Sequence, residues 1–371
     1  MKFIVSSNNL LKYLQSSASL LSNSPTIQFS QYFLLELEDS KLKITATDTQ
    51  SLLTSIVEVE SESKGSFCVF GRTFLDLIKS LPDQPITLSL KEDQNILEII
   101  YETGKASLAV IDAREYPRMR DVQAEAGVSM PAEVLSTALS KTIFATGNDE
   151  IRITLMGVFF QLTTSGCAFV ATDGHKLSKY KRTDIVSTET NEFIVPKKAL
   201  NILKSLLSDA ESVDIRSNGT NVKFITENQT FIAKLIEGRY PPYENVIPKD
   251  NPNVLRIARN TLLSAIKRIS IIASKSSNLI KVAISGNMLS VSAEDIELSN
   301  KAEENLPCEY SGSDMTIGFN SKNLIEILSN YESEYVRMEF SSYSKPCLLF
   351  AEDGLSESED VLMLVMPVMI A

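Results

Sequence analysis

The only histidine of this chain, His175, follows Asp173 by two residues, and this pair is the first place to look for acid–base chemistry. A general base needs an oriented nucleophile or acid within hydrogen-bonding reach, and no such constellation surrounds the pair. Phosphate-binding glycine loops, nucleophile elbows and zinc-binding histidine motifs are absent from the sequence. Because Asp-Gly before a histidine is typical of a hairpin, the sequence predicts a turn here and argues against catalysis.

Thiol chemistry has equally little support. The four cysteines, Cys68, Cys167, Cys308 and Cys347, are scattered and form no C-x-x-C pair. This usage is typical of buried, reduced thiols in a cytoplasmic protein, and it predicts no transition-metal site. The apolar run at the start is too short for a signal peptide. We therefore expect a cytoplasmic protein without a cofactor and without membrane contact.

The sequence repeats itself three times. Residues 45–48 (TATD) recur at 170–173 (VATD) and more loosely at 291–295 (VSAED). A helical stretch recurs at intervals of 125 and 124 residues, at positions 74–81, 199–206 and 323–330. A repeat of this length has the size of an independent domain rather than of a solenoid unit. Proline-rich segments near 124 and 250 predict the boundaries, which gives domains 1–124, 125–250 and 251–371.

Each repeat has the same internal order. An amphipathic helix is followed by strands with two-residue alternation, then by a second helix and more strands. Residues 158–170 show the clearest meander. The predicted class is α+β with mostly antiparallel sheets. The predicted helices are 10–21, 72–81, 134–146, 196–207, 260–275 and 320–330.

Charge is segregated along the chain. The net charge is −11, yet the six predicted helices hold eleven basic residues and only two acidic ones, Asp76 and Glu326. Glutamate forms helices as well as lysine does, so helix propensity does not explain this bias. Solvated helix faces are one explanation; contact with a polyanion, independent of base sequence, is the other. The second predicts these DNA-facing residues: Lys12, Arg72, Lys79, Lys141, Lys197, Lys198, Lys204, Lys267 and Arg268.

Three motifs together carry a family resemblance. Residues 171–178 (ATDGHKLS), 237–248 (EGRYPPYENVIP) and 366–370 (MPVMI) are similar to segments of the bacterial sliding clamps, the β subunits of DNA polymerase III. The resemblance implies three similar tandem domains of the DNA-clamp type, with helices on an inner face and antiparallel sheets on an outer face. It also implies a head-to-tail homodimeric ring around double-stranded DNA. The implied protein partners are the catalytic polymerase subunit, the clamp loader and other proteins with a clamp-binding motif. The implied location is the cytoplasm, in association with the nucleoid.

The resemblance further implies a pocket for short partner peptides that end in leucine and phenylalanine. Methionine and leucine make an adaptable apolar surface that suits several partners. The residues implied are Leu155, Thr172, Gly174, His175, Lys176, Leu177, Pro241, Val246, Met366, Pro367 and Val368.

Alternatives remain open from the residues alone. A repeat-built α+β enzyme, such as a hydrolase, is disfavoured because no catalytic or phosphate motif is present. A structural repeat protein without nucleic acid is disfavoured by the helix charge. The stretch Tyr240–Tyr243 could be a polyproline ligand for an aromatic groove, or a rigid strap at a domain boundary.

Overall fold

The computed structural model describes residues 1–22, 28–61, 63–117, 122 and 127–370. Within this part, all six predicted helices are present, with ends that differ from the predicted ends by about three residues or fewer, apart from one that continues as a 3₁₀ turn. None of the helices described is long and apolar enough to cross a membrane. The helices are α1 (Ser7–Ala18), α2 (Gly71–Ser80), α3 (Ala132–Thr142), α4 (Lys197–Leu206), α5 (Arg259–Ile272) and α6 (Ser321–Ser329).

The strands alternate between buried and exposed side chains, as in β6, where Ile86 and Leu88 are buried. The meander predicted over residues 158–170 is confirmed as part of β10 to β12. The strands are β1 (Lys2–Ser6), β2 (Tyr32–Glu38), β3 (Lys41–Thr47), β4 (Ser51–Glu58), β5 (Gly65–Phe70), β6 (Pro85–Lys91), β7 (Ile96–Tyr101), β8 (Gly104–Ile111), β9 (Gly127–Pro131), β10 (Gly157–Thr163), β11 (Gly166–Thr172), β12 (Lys176–Arg182), β13 (Asn191–Pro196), β14 (Ser212–Ser217), β15 (Asn221–Ile225), β16 (Gln229–Lys234), β17 (Asn253–Ala258), β18 (Leu279–Ser285), β19 (Met288–Asp295), β20 (Asn300–Pro307), β21 (Glu309–Ser311), β22 (Met315–Asn320), β23 (Tyr335–Phe340), β24 (Cys347–Ala351) and β25 (Glu359–Val365).

The chain forms two compact units. The first comprises Met1–Ser136 and Lys198–Leu235. Its described strands form one antiparallel sheet in the order β1-β6-β7-β8-β5-β2-β3-β4-β16-β15-β14-β9. The strand β4 of the first repeat pairs with β16 of the central repeat, and Leu53 stands opposite Phe231 with both side chains buried. The sheet therefore continues from one sequence repeat into the next.

The second unit comprises Thr137–Lys197 and Ile236–Ala371. Its described strands form one sheet in the order β13-β10-β11-β12-β25-β24-β23-β17-β21 and another in the order β20-β19-β18-β22. Here β12 of the central repeat pairs with β25 of the third repeat, and Leu177 stands opposite Leu364. The central repeat is thus shared between the two units. The boundary predicted near 250 remains a prediction, and the one near 124 lies outside the described residues.

The recurring aspartate has one structural cause. Asp48, Asp173 and Asp295 each begin a strand-to-strand turn, where the carboxylate accepts backbone N–H groups two and three residues further on. An aspartate suits this position because its short side chain reaches its own backbone. The repeated motif is therefore a repeated turn, and in two of the repeats this turn leads into the strand that joins the next repeat.

Candidate partner-binding groove and basic helix faces

A groove of about 330 Å³ opens on the second unit, within the usual size range of a ligand site. Three parts of the sequence meet at it: residues 155–177, which include the turn between β11 and β12, residues 241–246, and the end of β25. Its walls are mostly apolar. The lining residues are Leu155, Thr172, Gly174, His175, Lys176, Leu177, Pro241, Pro242, Tyr243, Asn245, Val246, Leu364 and Met366.

The segment after residue 239 is fixed by aromatic packing. The ring of Tyr240 stacks on Phe159 of β10 at a centroid distance of 4.8 Å, and Tyr243 packs edge-on against the same ring at 6.5 Å. The Tyr243 hydroxyl donates to Gln161 Oε1 at 2.6 Å. Both tyrosines are buried, and burial raises the pKa of each. The burial of both rings disfavours the polyproline-ligand alternative and favours a strap that is fixed to the second unit.

The opposite wall is a rigid turn. The Thr172 hydroxyl donates to the Lys176 carbonyl at 2.7 Å and accepts from the Gly174 N–H at 3.0 Å. Gly174 has a φ of +90°, a conformation that glycine adopts without strain. The turn predicted from Asp-Gly is confirmed, and His175 lies exposed on the groove wall at its tip.

A buried ion pair holds this turn. Burial alone would raise the pKa of Asp173. Hydrogen bonds from Lys176 Nζ at 2.5 Å and from the backbone N–H groups of Lys176 and His175 outweigh it, so the pKa lies below its ordinary value. Burial alone would lower the pKa of Lys176, but Asp173 and Glu326, whose Oε2 lies 3.1 Å away, raise it. Lys176 therefore stays charged, and its amino group is already occupied by two carboxylates.

The third side of the groove comes from the end of β25. The Met366 N–H donates to the His175 carbonyl at 2.8 Å, which continues the pairing of β12 with β25 for one more residue. Two residues later the Val368 N–H donates to the Gly318 carbonyl at 2.8 Å. The Met366 side chain thus lies on the groove while the tail beyond it turns to β22.

Of the eleven pocket residues predicted, nine line this groove. Pro367 and Val368 are not among the lining residues, because the tail turns toward β22 after Met366. The sequence prediction did not include Pro242, Tyr243, Asn245 and Leu364. The first three belong to the motif at 237–248 and could have been included. Leu364 required knowledge that β25 pairs with β12.

The groove suits apolar side chains with a few polar contacts. The Thr172 hydroxyl is already bonded within the turn, and the Lys176 amino group is already paired with Asp173 and Glu326. The described contacts include no hydrogen bond from the side chains of His175 or Asn245. A ligand would therefore bury apolar groups against leucine, valine, proline and methionine and bond to these two side chains or to backbone. The polar groups do not form a catalytic constellation.

The predicted DNA-facing residues are mostly on the surface. Lys12, Arg72, Lys79, Lys198, Lys204, Lys267 and Arg268 are exposed and Lys197 is partly so. Several also have protein partners. Lys12 Nζ lies 3.1 Å from Asp209, Lys198 Nζ lies 2.5 Å from Asp48, and Arg268 forms a two-point pair with Glu304. These pairs reduce the positive potential that counting charges suggested.

Lys141 does not fit the prediction of a DNA-facing residue. Its side chain is only 10% exposed, and its amino group donates to the Asn330 carbonyl at 2.8 Å and to Glu332 Oε1 at 3.2 Å. The reason is its position on the face of α3 that packs inward, which charge counting over a whole helix does not distinguish. Lys141 has a structural role in the second unit.

Within the described ranges, no three histidine, cysteine or carboxylate residues are grouped to hold a metal ion. Burial raises the pKa of Cys68 to about 12 and that of Cys167 to about 11, so these thiols stay protonated.

Comparison with known proteins identifies the family of this chain. Family models of the DNA polymerase III beta subunit match the chain in three consecutive parts: the N-terminal domain at residues 1–120, the central domain at 129–242 and the C-terminal domain at 244–369. The chain belongs to the DNA polymerase III beta subunit family. It therefore has the α+β, three-domain clamp fold. As a beta subunit it is a sliding clamp, a processivity factor that works with DNA and a polymerase, and it is not an enzyme.

Relatives along the full length agree with membership of the beta subunit family. The chain is 29% identical to the beta sliding clamp of Haemophilus influenzae, with 94% of this chain and 95% of the relative covered. It is 28% identical to that of Escherichia coli K12, with 96% and 97% covered. A crystal structure of the Pseudomonas aeruginosa sliding clamp bound to griselimycin matches with a TM-score of 0.94 at 27% identity, and the Streptococcus pyogenes beta subunit with 0.95 at 25%. Both structural matches cover 100% of this chain and 100% of the solved chain.

The Asp173 carboxylate should stabilise the beta subunit in a pH-dependent way. Its folded-state pKa is lowered, so its contribution is present above the unfolded-state pKa of about 3.9 and is lost as the pH falls through the folded-state value. The change Asp173→Asn should lower the free energy of unfolding by about 1–3 kcal/mol at pH 7. The deficit should shrink below about pH 4. Urea unfolding at pH 7, 5 and 3 measures both.

The exposed Asp250 is a matched control, and Asp250→Asn should unfold at the parent's urea concentration at pH 7. A deficit for Asp173→Asn that stays constant down to pH 3 would contradict the assignment of Asp173 as an ion-paired carboxylate.

Proposed function

We propose that two copies of this chain join head to tail into a ring that encircles double-stranded DNA, and that the groove holds peptides of the replicative polymerase, the clamp loader and other clamp-binding proteins. One observation carries the proposal of a ring. Consecutive repeats pair through one strand of each repeat, and the corresponding strands of the third and first repeats each have an unpaired edge. The other parts rest on the exposed lysines and on the groove.

The open edges are β20 and β8. In the described residues β20 pairs only with β19, on one side. Residues 104–109 of β8 pair only with β7, since β5 reaches no further than Val110 and Ile111. Unpaired edges of this length favour addition of another strand. Ile271 lies near the end of α5, the helix that packs against β20, and it is 69% exposed, so it offers an apolar group for such an interface to cover.

The repeats predict the register of this pairing. Ser51 of β4 pairs with Ala233, and Lys176 of β12, 125 residues later, pairs with Val365. The interval between the second and third repeats is 124 residues, which leads to Asn300 of β20. The counterpart of Ala233 and Val365 on β8 is Leu108, because each of the three lies three residues before a residue that pairs with an equivalent strand: Ile111 with Cys68, Ile236 with Ile194 and Val368 with Gly318. Asn300 should therefore pair with Leu108 of the partner subunit, which sets Lys301 opposite Ser107 of the partner subunit.

This register is chemically reasonable. It sets Ala302 opposite Ala106 of the partner subunit and Glu303 opposite Lys105 of the partner subunit. Directly opposed residues of opposite charge stabilise antiparallel strands, and two small residues pack without a clash. The contact is heterologous, because it joins the third repeat of one copy to the first repeat of the other, and it closes into a ring when the rotation permits.

DNA contact is proposed for the exposed basic residues of the helices. The residues with no protein partner among the described contacts are the best candidates, and they include Lys79, Lys204 and Lys267. Scattered lysines without base-reading geometry would bind phosphates of any sequence, which suits a clamp that slides.

Peptide binding is proposed for the groove because its wall residues come from three segments and are largely apolar. A leucine and a phenylalanine buried there would contribute roughly 1.5–3 kcal/mol each before the cost of ordering the peptide. The affinity expected is therefore about micromolar, which lets partners exchange.

For the ring, the double variant Ala302→Cys and Ala106→Cys should form disulfides between subunits on mild oxidation, because directly opposed Cβ atoms in a sheet lie about 4.5–5.5 Å apart. Denaturing electrophoresis without reductant should show a covalent dimer. The pair Glu303→Cys and Ala106→Cys is the control, since its side chains point to opposite faces and should not join. A chain that stays monomeric in light scattering at micromolar concentration would overturn the ring.

For DNA, replacing Lys79, Lys204 and Lys267 together with glutamine should weaken retention on circular duplex. The slope of log affinity against log salt should fall by about 0.9 for each phosphate that the variant no longer neutralises. The triple glutamine variant of Lys41, Lys234 and Lys345, exposed lysines outside the helices, is the matched control. Equal slopes for both variants and the parent would mean that the helix lysines do not meet DNA.

For the groove, deletion of residues 366–371 should abolish binding of a short peptide with leucine and phenylalanine anchors, because Met366 is removed and the β12–β25 pairing is shortened. Deletion of 369–371 alone should preserve binding, since Met366 and the Val368–Gly318 hydrogen bond remain. Calorimetry measures both, with light scattering to verify an unchanged oligomer. Undiminished binding after the longer deletion would locate the peptide site elsewhere.

A further inference from the structure

We propose that Gly318 is a positioning residue for the groove: its missing side chain lets the tail lie directly on β22, and this contact holds Met366 at the groove wall. The expected effect of Gly318 on peptide binding rests on the proposed function of the groove. The contact between tail and strand is a separate claim with its own measurement.

Gly318 lies in the middle of β22, where a glycine is unfavourable unless something needs the space. Its backbone is not in the left-handed region, so the backbone conformation alone does not require glycine. The residue is buried, and on one side it pairs with Lys281 of β18. The reason for glycine must therefore lie in what packs against its α-carbon.

The tail is what packs there. A β-carbon at position 318 would overlap the carbonyl oxygen of Val368 and would lie 2.9 Å from Ile370 Cγ1. The third neighbour, Leu279 Cδ1 at 3.0 Å, is the end of a flexible side chain and can move. The Val368 carbonyl is backbone, and the N–H of the same residue is held by its hydrogen bond to the Gly318 carbonyl, so relief would require the tail to lift.

Lifting the tail would move Met366. In the described part of the tail, two main-chain hydrogen bonds anchor it: the Met366 N–H donates to His175, and the Val368 N–H donates to Gly318. Pro367 lies between them and has no N–H that could add a third. Without the second anchor, Met366 would be held by one hydrogen bond at the end of β25. The groove would then lack the fixed position of one of its large apolar side chains.

The other repeats set this position apart. The equivalent residues, each the fourth of a six-residue strand that leads into a helix, are Cys68 and Ile194, which pair with Ile111 and Ile236. In these two repeats a side chain is accommodated beside the paired segment. Only the third repeat has glycine there, and only there does the paired segment continue from a groove wall.

The test uses four full-length or tail-deleted proteins: the parent, Gly318→Ala, the deletion of 366–371, and the two changes combined. Thermal unfolding should show that Gly318→Ala lowers the melting temperature of the full-length chain and has no measurable effect in the tail-deleted chain, because the overlapping atoms are gone. Amide exchange at Val368 should become faster in full-length Gly318→Ala. Peptide affinity in that variant should fall by about tenfold, the loss expected for one large apolar contact, with the oligomer unchanged.

Gly147→Ala is the matched control, since its added methyl group would meet only ordinary contacts, the nearest at 3.5 Å. Equal destabilisation by Gly318→Ala with and without the tail would overturn the proposal, because glycine would then serve β22 itself. Parent-like peptide affinity in Gly318→Ala would overturn it as well. If the parent itself binds no peptide while the melting temperatures follow the expected pattern, the proposed function fails and the contact between tail and strand stands.

Discussion

The structure depends on one constraint: backbone N–H and C=O groups at a strand edge need partners. Each sequence repeat contains a strand whose outer edge it does not pair itself, and in the first two repeats the following repeat supplies the strand that fills this edge. In the first unit β16 fills the edge of β4, and in the second unit β25 fills the edge of β12. The groove exists because the second of these pairings brings the end of β25 beside the turn at Asp173. The open edge of β20 leaves the same requirement unmet within one chain.

Much of this was readable from the sequence, because the signals are local. The amphipathic period located the six helices, and the Asp-Gly pair at residues 173–174 located the turn that precedes β12. The residues of the groove could be listed only through the family resemblance, since three separate segments contribute to it. Leu364 was missed because strand pairing over nearly two hundred residues has no local signature. Lys141 was misassigned because the charge of a helix does not reveal which of its faces is buried.

Lysine has two different roles in this protein, and burial decides between them. Lys141 and Lys176 lie inside the second unit, where carboxylates and a carbonyl satisfy their amino groups. Removing one partner of such a pair leaves a buried charge unsatisfied, which is costly. The exposed lysines of the helices make few such contacts and remain available to an external anion. A charge count over the sequence merges these two groups, and only the contacts separate them.

The two compact units divide the central repeat, and this has a consequence for how the molecule comes apart. Strands β14 to β16 belong to the same sheet as the first repeat, whereas β10 to β13 belong to the same sheet as part of the third. An intermediate in which the second unit has melted would keep the first repeat and half of the central one. The segment that repeats in the sequence is therefore not the compact unit, and a fragment cut at the repeat boundaries would leave one edge of β4 or of β12 without its partner strand.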